Sequence, residues 1–212
     1  MPQPALAAIV IAAMLHLTKP TYLRDLFARS RWSFANAVIV IGAELTLGVL
    51  QGIAWGVVLA LLTLIYRTSH PHGEVLGQLP DTEAYRNVQR HPEAITFQGL
   101  LILRIGGDLF FASVGHVSEA LKASLAARPD VKRVLLDFGP VNYIDISASD
   151  EVLNLVKELQ SRGITIAFAR VRDVVRDDMR LAGIEAIVGP SNFHERITDG
   201  VRAHSSKDRL VP

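Results

Sequence analysis

Charge vanishes from this chain after Trp32 and returns at Arg67. Across residues 33–66 the one residue charged at neutral pH is Glu44. A membrane-crossing helix needs ~20 apolar residues and can manage with ~17. This run of 34 residues is therefore long enough for two minimal spans, the favoured reading, or for one long tilted helix with an interfacial tail. Gly48, Gln51, Gly52 and Gly56 cluster near its middle, where a helical hairpin would turn. Glycine also suits close packing of membrane helices. A shorter apolar stretch, residues 5–17, is interrupted by His16 alone and reads as a partial span.

From residue 73 onward the pattern becomes that of an α/β domain. Residues 74–79 predict a short strand, and the polar residues 80–99, with Pro80, Pro92 and Gly99, a loop containing one helical turn. Leu100–Ile105 predicts a strand, Gly106-Gly107-Asp108 a hairpin turn, and Leu109-Phe110-Phe111 the returning strand. Ser113 is the expected cap of a helix whose apolar positions, Val114, Val117, Leu121 and Leu125, recur at helical spacing. Residues 134–138 and 164–169 are nearly continuous apolar runs, which suits central strands covered on both faces. Helices are expected over residues 147–162 and 171–182, a short strand over 184–188, and a last helix over 197–203. The expected fold class is an α-helical membrane segment followed by an α/β domain, a mixed sheet with helices packed on it. The expected division is residues 1–70, residues 71–204, and a frayed tail at 205–212.

Charge adds a direction. Residues 1–71 carry five basic and two acidic residues, +3, which leaves −2 for the remainder of a chain of net charge +1. Lys19, Arg24, Arg29 and Arg31 sit in the connection before the long run, and such residues favour the cytoplasmic side. Two spans later the chain returns to that side, so the α/β domain is expected in the cytoplasm. The protein is then a multi-pass protein of the plasma (inner) membrane. No cysteine is present, which removes disulfides and thiolate metal sites. The acidic balance of the soluble part gives no footprint for nucleic acid. Asp137-Phe138-Gly139 spells a kinase magnesium motif without the other motifs a kinase needs. His70, His72 and His91 lack a fourth ligand and metal-site spacing. The charged residues from Arg170 to Arg180 read as the solvated face of a helix with i,i+4 pairs. No catalytic constellation is identifiable, and no enzyme activity, cofactor or metal is expected.

Two places remain as candidate sites. Glu44 is the lone carboxylate of the apolar run; it is either functional within the membrane or placed at headgroup depth near the hairpin tip. The segment Gly139–Asp150 joins a central strand to a helix, at the sheet edge where α/β proteins place their sites. Ser147 is read there as the helix N-cap, with Asp150 as its capping partner. Asp145, Ser147, Ser149 and Asp150 form a candidate phospho-switch or partner-contact loop. Phosphate on Ser147 would gain from the helix dipole and lose to repulsion by Asp145 and Asp150.

The step Arg67-Thr68-Ser69-His70-Pro71, then Val75-Leu76-Gly77-Gln78-Leu79-Pro80, Leu109-Phe110-Phe111-Ala112-Ser113, Val134-Leu135-Leu136-Asp137-Phe138 and Tyr143-Ile144-Asp145-Ile146-Ser147-Ala148 resemble the C-terminal end of a sulfate permease (SulP) family anion transporter. The soluble part resembles its STAS domain, named for sulfate transporters and anti-sigma factor antagonists. The resemblance implies that the apolar segments are the last helices of a gate domain. The family's anion site lies in core-domain half-helices without a counterpart here, so the chain is not expected to transport alone. Its implied partners are membrane lipid, the remainder of the transporter or a second copy in a homodimer, and a regulatory protein at the STAS loop. The antagonists carry Asp-Ser-Ser-Gly, of which Asp145 and the acceptor position Ser147 match while Ile146 and Ala148 depart. That match implies the alternative, a membrane-tethered signalling module switched at Ser147.

Overall fold

Gly48 divides the apolar run. A computed structural model of the chain describes residues 20–69 and 73–208, with seven further positions between 4 and 13. Most of the apolar stretch 5–17, the His70-Pro71-His72 step and residues 209–212 lie outside the described residues. The chain forms two compact units, Met1–Ile65 and Tyr66–Pro212.

In the first unit, helix α1 (Pro20–Arg29) leads into α2 (Arg31–Leu47), with Phe27 and Phe34 edge to face at 5.1 Å. Ser30 caps α2, its side chain accepting from the Ser33 amide at 3.2 Å. Gly48, at φ +98°, takes a backbone shape that a side chain would resist, and α3 (Val49–Ser69) starts immediately after it. The two helices run back along each other. Asn36 donates to Thr63 at 3.2 Å, Val40 meets Gly56, and Glu44 meets Gly52. A methyl at residue 52 would lie 2.7 Å from the Glu44 Cα, so the helices approach closely because this residue has no side chain. Val49–Tyr66, with mean hydropathy 2.1, is the one helix among the described residues long and apolar enough to cross a membrane. α2, at 17 residues, stands at the lower length limit.

The second unit is built on a six-stranded mixed sheet. Its strands are β1 (Gly73–Gln78), β2 (Tyr85–Asn87), β3 (Leu100–Ile105), β4 (Arg133–Asp137), β5 (Thr165–Ala169) and β6 (Phe193–His194), in the order β2-β1-β3-β4-β5-β6. β1 pairs antiparallel with β2 and β3, and β3 to β6 run parallel. The crossovers carry α4 (Val114–Ala126), α5 (Ile146–Ser161), α6 (Asp173–Leu181) and α7 (Ile184–Val188), and α8 (Ile197–Asp208) follows β6. Strand alternation separates two cores. Leu101, Leu103, Val134 and Leu136 face α4 to α7, whereas Leu100, Ile102, Leu135 and Ala167 face Ile197 and Val201 of α8.

Several local expectations are corrected. Leu109–Phe111 is not a returning strand: Leu109 is buried in a parallel bridge to Ile144, and the antiparallel partner of β3 is β1. The segment is captured by the chain beyond β4, because Asp108 Oδ1 accepts from the amides of Asn142 at 2.7 Å and Tyr143 at 3.2 Å. The 80–99 region contains strand β2, where three residues pair with β1. Residues 184–188 are a helix, since Ile184 and Val188, four apart, are both buried in the core. The last helix continues to Asp208, into the segment expected to fray. Ser113 precedes α4 without a capping bond to it; its hydroxyl instead serves Asp108 and Phe110 of the preceding turn.

Candidate functional site

The turn after β4 is held from two sides. Asp145, not Ser147, caps α5: its Oδ1 accepts from the Ala148 amide at 2.7 Å. Both residues have capping chemistry, and Asp145 prevails because its backbone is extended at ψ 171° while Ser147 already lies in the helix. The other carboxylate oxygen accepts from the Phe111 amide at 3.0 Å. Backbone bonds from Leu109 N to Tyr143 O and from Asp145 N to Leu109 O, both 3.0 Å, complete the link. Asp108 therefore holds residues 142–143 and Asp145 holds residue 111, so the two loops clamp each other.

Within this frame the four loop residues separate. Ser147 is exposed in the first turn of α5. Ser149 is buried, its amide bonded to Asp145 O at 2.9 Å. Asp145, Ser149 and Asp150 line an open depression of about 350 Å³ together with Asp178, Leu181 and Ala182 of the α6 end. Three carboxylates and no basic residue line it. Beside them Ile146 and Leu181 stand 83% and 87% exposed, and Tyr143 and Phe111 are exposed as well. Exposed apolar side chains ringed by acids suit contact with a protein surface and disfavour a small anion.

Glu44 belongs to the hairpin. It is half-buried one turn before Gly48, which donates its amide to the Glu44 carbonyl at 3.2 Å. His91 pairs with Glu93 at 3.0 Å, and the described residues contain no group of His, Cys, Asp or Glu able to hold a metal. The Arg170 to Arg180 run makes few pairs along its own helix. Arg176 and Arg180 converge on Glu185 of α7 at 2.6 and 2.9 Å, and Arg172 donates to Asn142 at 2.7 Å. The Glu185 carboxyl is held below the ordinary range, first by the Arg176 hydrogen bond.

The sequence reading missed Asp108 and Asp137. Asp137 interrupts the otherwise apolar run 134–138 at the end of β4, which was the available signal, since a buried carboxylate requires partners. Asp108 had no such mark, because its partners lie about 34 positions away.

The family model for the STAS domain matches residues 91–200. The chain is 34% identical over 211 residues to "Probable sulfate transporter 4.2" of Arabidopsis thaliana, covering 95% of this chain and 31% of that one. A probable sulfate transporter of Mycobacterium tuberculosis is 30% identical over 203 residues, covering 95% of this chain and 36% of that protein. Among solved structures, the murine Solute Carrier 26 family member A9 anion transporter superposes with TM-score 0.80 at 22% identity, over 95% of this chain and 33% of that one. The chain spans about a third of the length of the relatives it matches.

Proposed function

Because this chain belongs to the STAS domain family, we propose that it forms the C-terminal part of a secondary-active inorganic anion transporter of the sulfate type. The hairpin α2–α3 contributes to the gate domain of a multi-pass membrane protein. The STAS unit serves as its cytoplasmic regulatory or protein-contact domain. One observation carries this reading: the similarity to sulfate transporters extends over 95% of the chain, through the apolar helices as well as the STAS unit. The start of α5, Asp145–Asp150, with its exposed apolar rim, is the contact surface, and Glu44 is the hairpin's candidate functional carboxylate. On this reading the chain alone does not carry anions.

Two measurements test it. A related sulfate transporter whose corresponding third is replaced by this chain should retain sulfate uptake in proteoliposomes, whereas this chain alone should show none. Uptake by the chain alone, or a folded but inactive chimera, would count against the proposal. The chain has no cysteine, so a single cysteine at exposed Arg90 reports sidedness. It should react with an impermeant maleimide in inverted inner-membrane vesicles and not in intact cells. The exposed hydroxyl of Ser147 supports the second reading, a kinase-switched module. That reading requires phosphate on Ser147 and a partner whose binding changes in Ser147→Asp.

A further inference from the structure

A second edge site lies on the opposite face of the sheet from α5. Arg104 continues the Leu100 and Ile102 face of β3, toward α8, and is in register with Asp137 on β4. There Arg86 of β2, Arg104 of β3, Arg170 after β5 and Arg196 before α8 line an open depression of about 430 Å³. Four arginines from four separate segments line it, and two of them converge on Asp137.

Two of them are fixed by one carboxylate. Asp137, fully buried, accepts from Arg104 Nε at 2.8 Å and from Arg170 Nε and Nη2 at 2.7 and 2.6 Å. Burial would raise its pKa, but the arginine bonds outweigh burial and hold the carboxyl below its ordinary range. Arg170 reaches Asp137 from an uncommon left-handed backbone, φ +59°, and its guanidinium occupies the space left by the missing side chain of Gly139. Both arginines keep an exposed part, 24% of Arg104 and 40% of Arg170.

The other two arginines are uncommitted. Arg86 and Arg196 are exposed and form no ion pair among the described residues. Glu83, also on the rim, is paired with Arg202 at 3.2 Å. Among the lining residues four arginines meet one acid, Glu83, with Asp137 bound to two of them and Glu74 opposite Arg104 on the neighbouring strand, so the surroundings stay net positive. Ile197 and Thr198, the first residues of α8, also line the depression and bring the free first-turn amides and positive dipole end of a 12-residue helix. The Tyr85 hydroxyl is buried beside Thr198, which offers it at most a weak hydrogen bond.

We propose that this depression binds a tetrahedral dianion, sulfate or hydrogen phosphate, free or as the terminal phosphate of a small metabolite. Arginine forks match the paired oxygens of such groups, and an anion suits a depression whose lining is mostly arginine. The site goes beyond the transport reading and does not depend on it.

The test uses the full chain in detergent micelles, titrated calorimetrically with sodium sulfate, sodium phosphate or glycerol 3-phosphate at ionic strength held constant with sodium chloride. Saturable binding at least tenfold tighter than chloride is expected. The double variant Arg86→Gln/Arg196→Gln should weaken it at least tenfold with unchanged circular dichroism, while Arg90→Gln should leave it intact. Tighter binding of glycerol 3-phosphate than of both inorganic ions assigns the site to a phosphate ester, and equal binding assigns it to the free ion. Sulfate indistinguishable from chloride, or a double variant that binds like the parent, overturns the proposal. Neither result would touch the chimera's sulfate uptake.

Discussion

The two units treat the same residues in opposite ways. In the hairpin Leu45 and Leu50 are 82% and 78% exposed, whereas in the STAS unit Leu101, Leu103 and Leu121 are wholly buried. Polar groups reverse as well. In the hairpin Thr46 donates to Gly42 O and Thr63 to Leu59 O, both at 2.8 Å, and Asn36 donates across to Thr63. Such internal pairing is what a solvent without hydrogen bonds demands. In the STAS unit most charge faces outward, and the fully buried carboxylate, Asp137, takes two arginines. Packing differs too: Gly52 and Gly56 let the hairpin helices touch, while the sheet is filled by branched and aromatic side chains. The contrast is one of solvent, with the hairpin packed for lipid and the STAS unit for water.

The largest expected effect lies in the aqueous core. Phe168 is fully buried, stacked on Phe193 and edge-on to Phe138, each at 5.1 Å. Phe168→Ala should cost about 3–5 kcal/mol. Leu50→Ala, at an exposed position, should cost under ~0.5 kcal/mol in micelles. Hydrogen exchange of the full chain, resolved by segment, measures both. Equal costs would remove the contrast.

Next comes Asp137→Asn. Removing one partner from a buried ion pair costs about 3–5 kcal/mol, and the partial exposure of both arginines reduces this to about 2–3 kcal/mol. Because the folded pKa is lowered, the carboxylate's contribution is fully present above the ordinary value of about 4 and is lost as pH falls through the folded value. The variant should melt lower than the parent at pH 7, and the gap should narrow below pH ~4. A gap independent of pH would show that Asp137 acts through shape alone.

Gly52→Ala should strike the hairpin alone. A methyl meeting the Glu44 backbone is overpacking, with a cost of about 1–3 kcal/mol. Both tryptophans, Trp32 and Trp55, lie in this unit, so their emission should shift while exchange in β3 and β4 stays unchanged.

These contrasts were unequally legible in the sequence. The hairpin shows in the apolar run itself, and its turn in the glycine cluster that includes Gly48. The central strands show as continuous apolar runs because both faces of β3, β4 and β5 are covered. What failed were short segments decided by distant partners. Leu109-Phe110-Phe111 has strand composition, yet Asp108 binds it to residues 142–143. Ile184–Val188 has strand composition too, but Gly183 at φ +80° starts a helical turn there. In the candidate loop the residue types were legible, whereas the division of labour was not. Asp145 and Ser147 are both capping residues two positions apart, and only the backbone decides between them. The arginine depression left no local trace, since its four members lie on different elements.

The smallest effect separates those two candidates for the cap. Asp145→Ala removes the acceptor for the Ala148 amide and for the Phe111 amide, both at positions fixed by the mutual clamp. Loss of an N-cap costs about 1 kcal/mol, and the Phe111 amide, in an exposed setting, can turn to water. Ser147→Ala removes an exposed hydroxyl outside the cap and should change stability by less than ~0.5 kcal/mol. Exchange at the start of α5 should therefore accelerate about fivefold in Asp145→Ala, the factor that ~1 kcal/mol of local stability corresponds to, and remain unchanged in Ser147→Ala. If the serine variant were the one to open the helix start, the cap would belong to Ser147. A phosphate there would then unfasten the loop. With Asp145 as the cap, a phosphate leaves the helix start closed and changes only the charge presented to a partner.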